Sequence, residues 1–291
     1  MDWMLASAIM LVGSLIMYMS VRTAKASGLS VSNQFFGQFI VSGVLNVFLL
    51  IAFQVNMLIP LWQIGLIVLN TVVITYLSNI SSLKAIEAAP NPGLSLVIQK
   101  SYVVFTAIFS ALFLMKELTL LKAIAIGFIV LFGLIIVKDD KKKGEVKTDR
   151  KWVLYSFITF FGFGVLSLVE SYFVKELGIN TLVMIMYARL VLIPIEFIKK
   201  RKEILKTDYR KLLNKKNTLI LVSIGLGQFV FNYFMKEGYK TAPNPGYVSA
   251  VNTASIALIT LLSFIIFKDK LSKSKLLGIA GILVSLTVLY I

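Results

Sequence analysis

Three charged residues inside long apolar stretches are the strongest chemical features of this 291-residue sequence. Arg189 and Lys100 each lie well inside such a stretch, and Glu170 lies near the end of another. Charges in apolar spans are costly, so each one is first read as functional. A guanidinium can clamp a carboxylate or a phosphate, and a carboxylate can bind a proton or a cationic group. The alternative is an Arg189–Glu170 or Lys100–Glu170 ion pair that only stabilises helix packing.

Uncharged polar residues recur at matched positions and could line the same cavity. Asn79 and Asn232 are 153 positions apart, and so are Gln99 and Asn252. Tyr187 could add an aromatic wall to this substrate-binding set. The alternative for the amides is hydrogen bonding between helices, and for Tyr187 it is anchoring at the membrane interface.

The motif Ala-Pro-Asn-Pro-Gly occurs twice, at 89–93 and 242–246, each time before an apolar run. In each copy the Asn is placed to cap the following helix, and the second Pro occupies its first position. The first Pro ends the preceding segment. The alternative is a hinge, or a helix N-terminus that faces an anionic substrate. These cap and hinge residues are Pro90, Asn91, Pro92, Gly93, Pro243, Asn244, Pro245 and Gly246.

The elements that carry these residues are predicted to be membrane-spanning helices. The chain is 58% hydrophobic and only 15% charged, with a mean hydropathy of +0.86, so lipid must cover much of its surface. We therefore expect an all-α integral membrane fold with ten spans, the first of which is retained rather than cleaved. The expected spans are 3–21, 31–53, 61–82, 92–114, 118–137, 152–173, 181–198, 217–235, 245–267 and 272–291.

The repeated motif indicates a duplicated five-helix unit. We expect one repeat at 1–137, a charged linker at 138–151 and a second repeat at 152–291. Because five is odd, the second repeat enters the membrane from the opposite side, which gives the inverted repeats common in secondary transporters. Three pairs of small residues are expected to allow close helix packing, namely Gly162/Gly164, Gly225/Gly227 and Gly278/Gly281.

The net charge of +16 is distributed in loops rather than on one binding face, which argues against nucleic acid as a partner. Most basic residues fall on one side, so the loops 138–151 and 199–216 are predicted to be cytoplasmic and both termini outside. The second loop could form a surface helix or a solvated loop. In a surface helix, the lipid-facing residues would be Ile204, Leu205, Leu212 and Leu213.

The sequence contains no Cys and no His, and it shows no phosphate-binding loop. It therefore lacks thiolate chemistry, the commonest metal ligand and the usual proton shuttle near neutral pH. We expect no metal, no cofactor and no enzymatic activity.

The chain resembles the drug/metabolite transporter superfamily, in its ten-helix EamA-type branch. The resemblance covers the whole chain and depends on the two repeats, the Ala-Pro-Asn-Pro-Gly turns and an acid-x-Leu-Ser/Thr turn at 269–272. Arg189 matches an Arg often found in the second helix of a repeat, whereas its counterpart near Phe39 is not basic. Many such proteins keep both termini in the cytoplasm, opposite to the orientation that the charges predict.

The resemblance implies a secondary active transporter in the cell membrane, and we expect an exporter of small polar metabolites such as amino acids. It would work by alternating access, coupled to protons or to a counter-substrate, as a monomer or weak dimer. A sugar-phosphate or nucleotide-sugar antiporter is the alternative within transport, with Lys100 and Arg189 facing phosphate. A structural or receptor-like membrane protein without transport is the alternative of another class.

Overall fold

The computed structural model describes residues 1–89, 92–138, 151–206, 212 and 214–291, and this part of the chain is helical without a strand. Ten helices in this part of the chain are long and apolar enough to cross a membrane, which confirms the predicted all-α membrane fold. We number them α1 (Trp3–Ala26), α2 (31–52), α3 (61–88), α4 (92–113), α5 (Leu120–Lys138), α6 (Lys151–Lys175), α7 (Thr181–Leu205), α8 (Lys215–Thr241), α9 (Pro245–Phe267) and α10 (Lys273–Tyr290).

Three helices of the first half are interrupted, whereas α7, α8 and α9 are each a single α-helix. α2 and α3 each contain a π-helical segment, a feature that is frequent at functional sites. α4 breaks at Ser101. The segments are Val31–Phe35, Phe36–Val41 and Ser42–Ala52 in α2, Leu61–Leu69, Asn70–Tyr76 and Leu77–Ala88 in α3, and Pro92–Lys100 and Tyr102–Phe113 in α4.

The helix ends define two faces of the bundle. Trp3 at the start of α1 stacks on Tyr290 at the end of α10, with ring centroids 5.3 Å apart, so both chain ends lie on one face. At the other end of α1, Arg22 pairs with Asp269 in the turn between α9 and α10 at 2.7 Å. We call the end of the bundle that carries Trp3 and Tyr290 the terminal face. We call the end that carries Arg22 and Asp269 the basic face, because the basic loops follow the helices that end at this face.

The helix contacts between the two halves map onto one another when each helix is replaced by the helix five places away in the chain, so that the pair α1–α8 becomes α6–α3. α1 packs along α8 and α3 packs along α6, while α2 contacts α7, α4 contacts α9 and α5 contacts α10. Two pairs of turns also match, since Gly28 and Gly178 have φ of +74° and +62°, and Met115 and Lys268 have φ of +50° and +58°. The duplication and its inversion stay predictions, and this pattern is what they would produce.

Close helix packing at glycines explains how α1 and α8 approach each other. A Cβ at Gly13 would lie 2.6 Å from the backbone nitrogen of Phe231, and one at Gly227 would lie 2.6 Å from that of Met17. The three predicted small-residue pairs also lie in positions where a Cβ would clash with a neighbouring helix, so their packing role is confirmed.

A lipid-facing surface helix, one of the two alternatives for the loop 199–216, does not fit the described part of that loop. α7 continues to Leu205, and Ile204 is buried. Leu212 is also buried and packs in a cluster with Ala24 and Ile220 rather than against lipid. Leu205 is exposed, and Leu213 lies outside the described residues, as do 139–150 of the linker.

Candidate functional site

A buried ion pair joins α6 to α8 near the terminal face. The Nζ of Lys236 lies 3.0 Å from Oε1 of Glu170, and the two side chains are only 7% and 12% exposed. Each residue lies five positions before the end of its helix, so the pair is about 7 Å below the terminal face. A buried pair is stable only while both charges are present, because either one alone would be uncompensated.

This pair corrects two predictions. Glu170 pairs with neither Arg189 nor Lys100, the partners named in the ion-pair alternative. The predicted span 217–235 leaves Lys236 outside the membrane helix, but α8 continues to Thr241 and buries Lys236.

Polar side chains on one face of α9 extend this buried region toward the middle of the bundle. Ser249, Asn252 and Thr253 share that face because they are three and four residues apart. The fully buried Tyr239 of α8 lies with its hydroxyl 3.2 Å from Oγ of Ser249 and donates to Oγ of Ser167 on α6 at 3.1 Å. α6, α8 and α9 therefore meet at a satisfied hydrogen-bond network one turn from Glu170.

Lys100 and Asn252, both predicted site residues, lie together where α4 crosses α9. Nζ of Lys100 is 3.5 Å from Oδ1 of Asn252, and Nδ2 of Asn252 donates to the hydroxyl of Tyr102 at 3.2 Å. Thr253 Oγ1 donates to the carbonyl of Lys100 at 3.3 Å, beside the break in α4. A helix break at this point exposes backbone groups that neighbouring side chains must satisfy, and Thr253 does so.

Gln99 is held in a separate buried network near the basic face. Ser82 Oγ donates to Oε1 of Gln99 at 2.6 Å, and Nε2 of Gln99 donates to Ser95 Oγ at 2.8 Å. Ser95 Oγ lies 2.9 Å from Ser156 Oγ. These contacts link α3, α4 and α6 and satisfy Gln99, which fits the interhelical alternative.

The structure does not bring Asn79, Asn232 or Tyr187 into the α9 network. Both amides donate to the carbonyl four residues earlier in their own helix, at 2.7 Å in each case. The hydroxyl of Tyr187 donates to the carbonyl of Met57 at 3.2 Å, which ties α7 to the loop after α2.

Arg189 lies at the crossing of α2 and α7, away from the α9 network. Its guanidinium carbon is 5.1 Å from the centroid of the Phe39 ring. It lines an open, largely apolar groove of 450 Å³ between these two helices, together with Gly43 and Asn46. Nδ2 of the buried Asn46 donates to the carbonyl of Leu182 at 3.1 Å, while its Oδ1 has no donor.

Asn244 caps α9 and fastens it to α4. Its Oδ1 accepts from the backbone N–H of Gly246 and from the hydroxyl of Ser110, both at 2.7 Å. Its Nδ2 donates to the carbonyls of Ala107 and Glu117 at 3.1 and 3.2 Å. The amide is thus fully used by protein groups, with Pro245 at the first helical position.

The first copy of this motif is only partly described. Pro90 and Asn91 lie outside the described residues, and Pro92 and Gly93 begin α4 with side chains that are not described. In the second copy, Pro243 follows Ala242, whose carbonyl accepts from Nζ of Lys175 at 2.7 Å.

Two ion pairs lie at the ends of the spans. Asp269 accepts two hydrogen bonds from Arg22, and these lower the pKa of its carboxyl group. Glu176 accepts from Lys116 at 2.7 Å on the terminal face, which lowers the pKa of its carboxyl group as well. In the described part of the chain, no cluster of His, Cys, Asp and Glu could hold a metal ion.

Residues 150–291 match the profile of the EamA-like transporter family. The chain carries an EamA domain. This domain contains α6 to α10. It therefore includes Glu170, Arg189, Lys236 and the α9 network. No curated protein matches the sequence.

Solved structures share the fold of this EamA-domain chain, and 29 chains match it. One crystal structure, described only as that of a protein, has a TM-score of 0.78 and 15% sequence identity, covering 98% of both chains. At this identity the likeness shows the fold alone.

Among the polar residues that sequence reasoning missed are Lys236, Tyr239 and Asn46. Lys236 and Tyr239 would have been found had α8 been extended to the Ala-Pro turn that ends it. Asn46 is a single amide in an apolar run, and this signal was present in the sequence.

Proposed function

We propose that this chain is a secondary transporter that exports small zwitterionic metabolites, such as amino acids, by alternating access between two inverted five-helix repeats. The EamA domain and the ten membrane-spanning helices support transport. Inverted repeats that place the substrate near the bilayer midplane are a common plan of such proteins.

Contacts between equivalent residues support a symmetry axis through the bundle. Arg189 is equivalent to Phe39 by the Gly28–Gly178 register, and it contacts that ring. Lys100 is equivalent to Thr253 by the 153-residue register, and the two are hydrogen-bonded. Residues related by a two-fold axis can touch only beside it. The proposed axis therefore runs from the α2–α7 crossing to the α4–α9 crossing.

The observation that carries the substrate class is the buried pair of Glu170 and Lys236. An amino acid carries an ammonium and a carboxylate group on the same carbon, so it can take the place of each partner without leaving a buried charge alone. A substrate with one charge would compensate only one of the two residues. The pair thus favours zwitterions over simple anions or cations of the same size.

The same pair offers a physical account of gating. In the first half, the equivalents of Glu170 and Lys236 are Ser20 and Leu83, which cannot form an ion pair. α6 packs against α8, whereas no comparable packing joins the described parts of α1 and α3. In this proposal the ion pair holds α6 and α8 together and so closes the terminal face. A bound zwitterion opens this face, because it replaces the ion pair between the two helices.

The antiporter alternative requires Lys100 and Arg189 to face one phosphate. Lys100 lies at the α4–α9 crossing and Arg189 at the α2–α7 crossing, and these crossings share no helix. No contact in the described part of the chain favours that alternative.

The test is uptake of labelled amino acids by purified protein in liposomes. We expect uptake by the wild type and at least a tenfold loss in Glu170→Gln/Lys236→Gln, a double change that leaves no lone charge. The matched control is Lys116→Gln/Glu176→Gln, which removes an exposed ion pair on the terminal face and should leave uptake unchanged. A wild type that moves no zwitterion, or a double variant that transports normally, would contradict the proposal.

A further inference from the structure

We propose that the groove between α2 and α7 binds an apolar organic acid, which enters from the lipid and places its carboxylate on Arg189. The groove is distinct from the polar network on α9 and from the Glu170–Lys236 pair. Binding there does not depend on the proposed transport function, because it can be measured on protein that transports nothing.

Arg189 is the residue that requires an anion. Within the described residues its guanidinium contacts the Phe39 ring and makes no hydrogen bond or ion pair. A cation over a ring gains only about 1–2 kcal/mol, less than the penalty for an Arg in the middle of a membrane helix, about 3 kcal/mol on the lowest scales. A carboxylate could accept two parallel hydrogen bonds from the guanidinium and complete its coordination.

The walls of the groove require that the rest of the ligand be apolar. Apart from Arg189 and Asn46, the lining is glycine and hydrophobic side chains. Its volume of 450 Å³ is within the range of small-molecule sites. Several of its wall residues are more than half exposed and would face lipid, namely Val44, Phe48, Ile51 and Leu190. A ligand can therefore enter sideways from the bilayer.

The depth of Arg189 selects a single-chain acid over a phospholipid. Arg189 lies eight residues after Thr181, the first residue of α7, which is about 12 Å along the helix axis. The hydrocarbon core is about 30 Å thick, so the guanidinium lies near the midplane. Phospholipid headgroups remain at the bilayer surface, whereas a short acid can move inward until its carboxylate meets the cation.

The first experiment measures octanoate binding by calorimetry on the full chain in nanodiscs of neutral lipid, with empty nanodiscs subtracted. We expect the wild type to bind octanoate at least tenfold more tightly than octanol or octylammonium, since only the carboxylate pairs with Arg189. Arg189→Gln should lose this preference, and Arg189→Lys should keep part of it. Equal binding of all three probes by the wild type would overturn the proposal.

A second pair of variants tests the groove itself without changing any charge. A Cβ at Gly43 would have only Ile193 nearby, at 3.7 Å, so Gly43→Leu should fold and fill the groove. The control is Gly65→Leu, where a Cβ would meet nothing within 4 Å. We expect octanoate binding to be lost in Gly43→Leu and kept in Gly65→Leu, with unliganded melting temperatures reported for both.

Lipid competition distinguishes the two sources of an anionic group. Replacing half of the neutral lipid with phosphatidylglycerol should leave octanoate affinity unchanged within about twofold. Displacement of octanoate by phosphatidylglycerol would overturn the proposal, because the occupant would then be a lipid headgroup. Binding that persists in Gly43→Leu would overturn it as well.

Discussion

The guanidinium of Arg189 lies 5.1 Å from the ring of Phe39. In the proposed duplication these two residues are equivalent, so one half would supply a cation and the other an aromatic ring at the same place in the repeat. The proposed symmetry thus describes the backbone, while the chemistry at the α2–α7 crossing is asymmetric. The same holds for the buried Glu170–Lys236 pair, whose equivalents are uncharged.

Inversion of the repeats predicts that Met115 and Lys268 lie on opposite sides of the membrane. Both are exposed, both have a left-handed backbone and they are 153 positions apart. The sequence contains no Cys, so single cysteines placed there will be the only reactive thiols. In intact cells, an impermeant maleimide should label Met115→Cys and not Lys268→Cys, because the basic face is expected to be cytoplasmic.

Each outcome of this labelling has a defined meaning. Labelling of both sites, or of both only after lysis, would contradict the inverted topology. Labelling of Lys268→Cys alone would preserve the inversion and contradict the predicted orientation.

Much of this fold could be predicted because lipid imposes one strong rule, that a span needs about 20 apolar residues. All ten spans were found, and errors fell at ends where polar residues continue a helix. α8 runs past Lys236, whose charge Glu170 compensates, and α7 runs to Leu205, beyond its apolar stretch.

The site was harder to predict because pairing across helices depends on rotation and depth, which one sequence does not specify. Lys100 and Asn252 are both predicted site residues and do lie together. Glu170 instead pairs with Lys236, which lies outside the predicted spans. Gln99 looked like a binding residue, yet serines on α3 and α4 satisfy its amide.

Gly13→Ala is expected to destabilise the protein by about 2 kcal/mol, as overpacking of a close contact usually does. Its Cβ would lie 2.6 Å from the backbone nitrogen of Phe231, which cannot move without shifting α8. Gly65→Ala is the control, since its Cβ has open space and should be neutral or slightly stabilising. Thermal unfolding in detergent measures both, and equal melting temperatures would contradict the close α1–α8 contact.

Asn244→Ala is expected to cost about 2–3 kcal/mol of stability, because it removes a helix cap and leaves buried partners on α4 unsatisfied. Asn214 provides a comparison, since it caps α8 by accepting from Asn217 but lies at an exposed helix start. Asn214→Ala should cost about 1 kcal/mol or less. Similar losses in the two variants, measured by denaturant or heat, would contradict the role of Asn244 in joining α9 to α4.

The Arg22–Asp269 pair predicts a specific pH dependence of stability. Arg22 lowers the folded-state pKa of the Asp269 carboxyl group, so the pair stabilises the fold above the unfolded pKa of about 3.9. That contribution is lost as the pH falls through the lower folded value. The melting temperature of Asp269→Asn should therefore be below that of the wild type at pH 7 and converge with it below about pH 4. A difference that stays constant from pH 7 to pH 3 would contradict the ion pair.

The most direct test of the central claim is how the Glu170–Lys236 pair ranks ligands by charge. Binding affinities should be measured for leucine, 3-methylbutylamine and 4-methylpentanoate, which share a branched carbon skeleton and carry both charges, the cation alone or the anion alone. The wild type should bind leucine at least tenfold more tightly than either analogue. Glu170→Gln leaves Lys236 alone and should favour the acid, whereas Lys236→Gln should favour the amine. One ranking shared by all three proteins would contradict a zwitterion site at this pair.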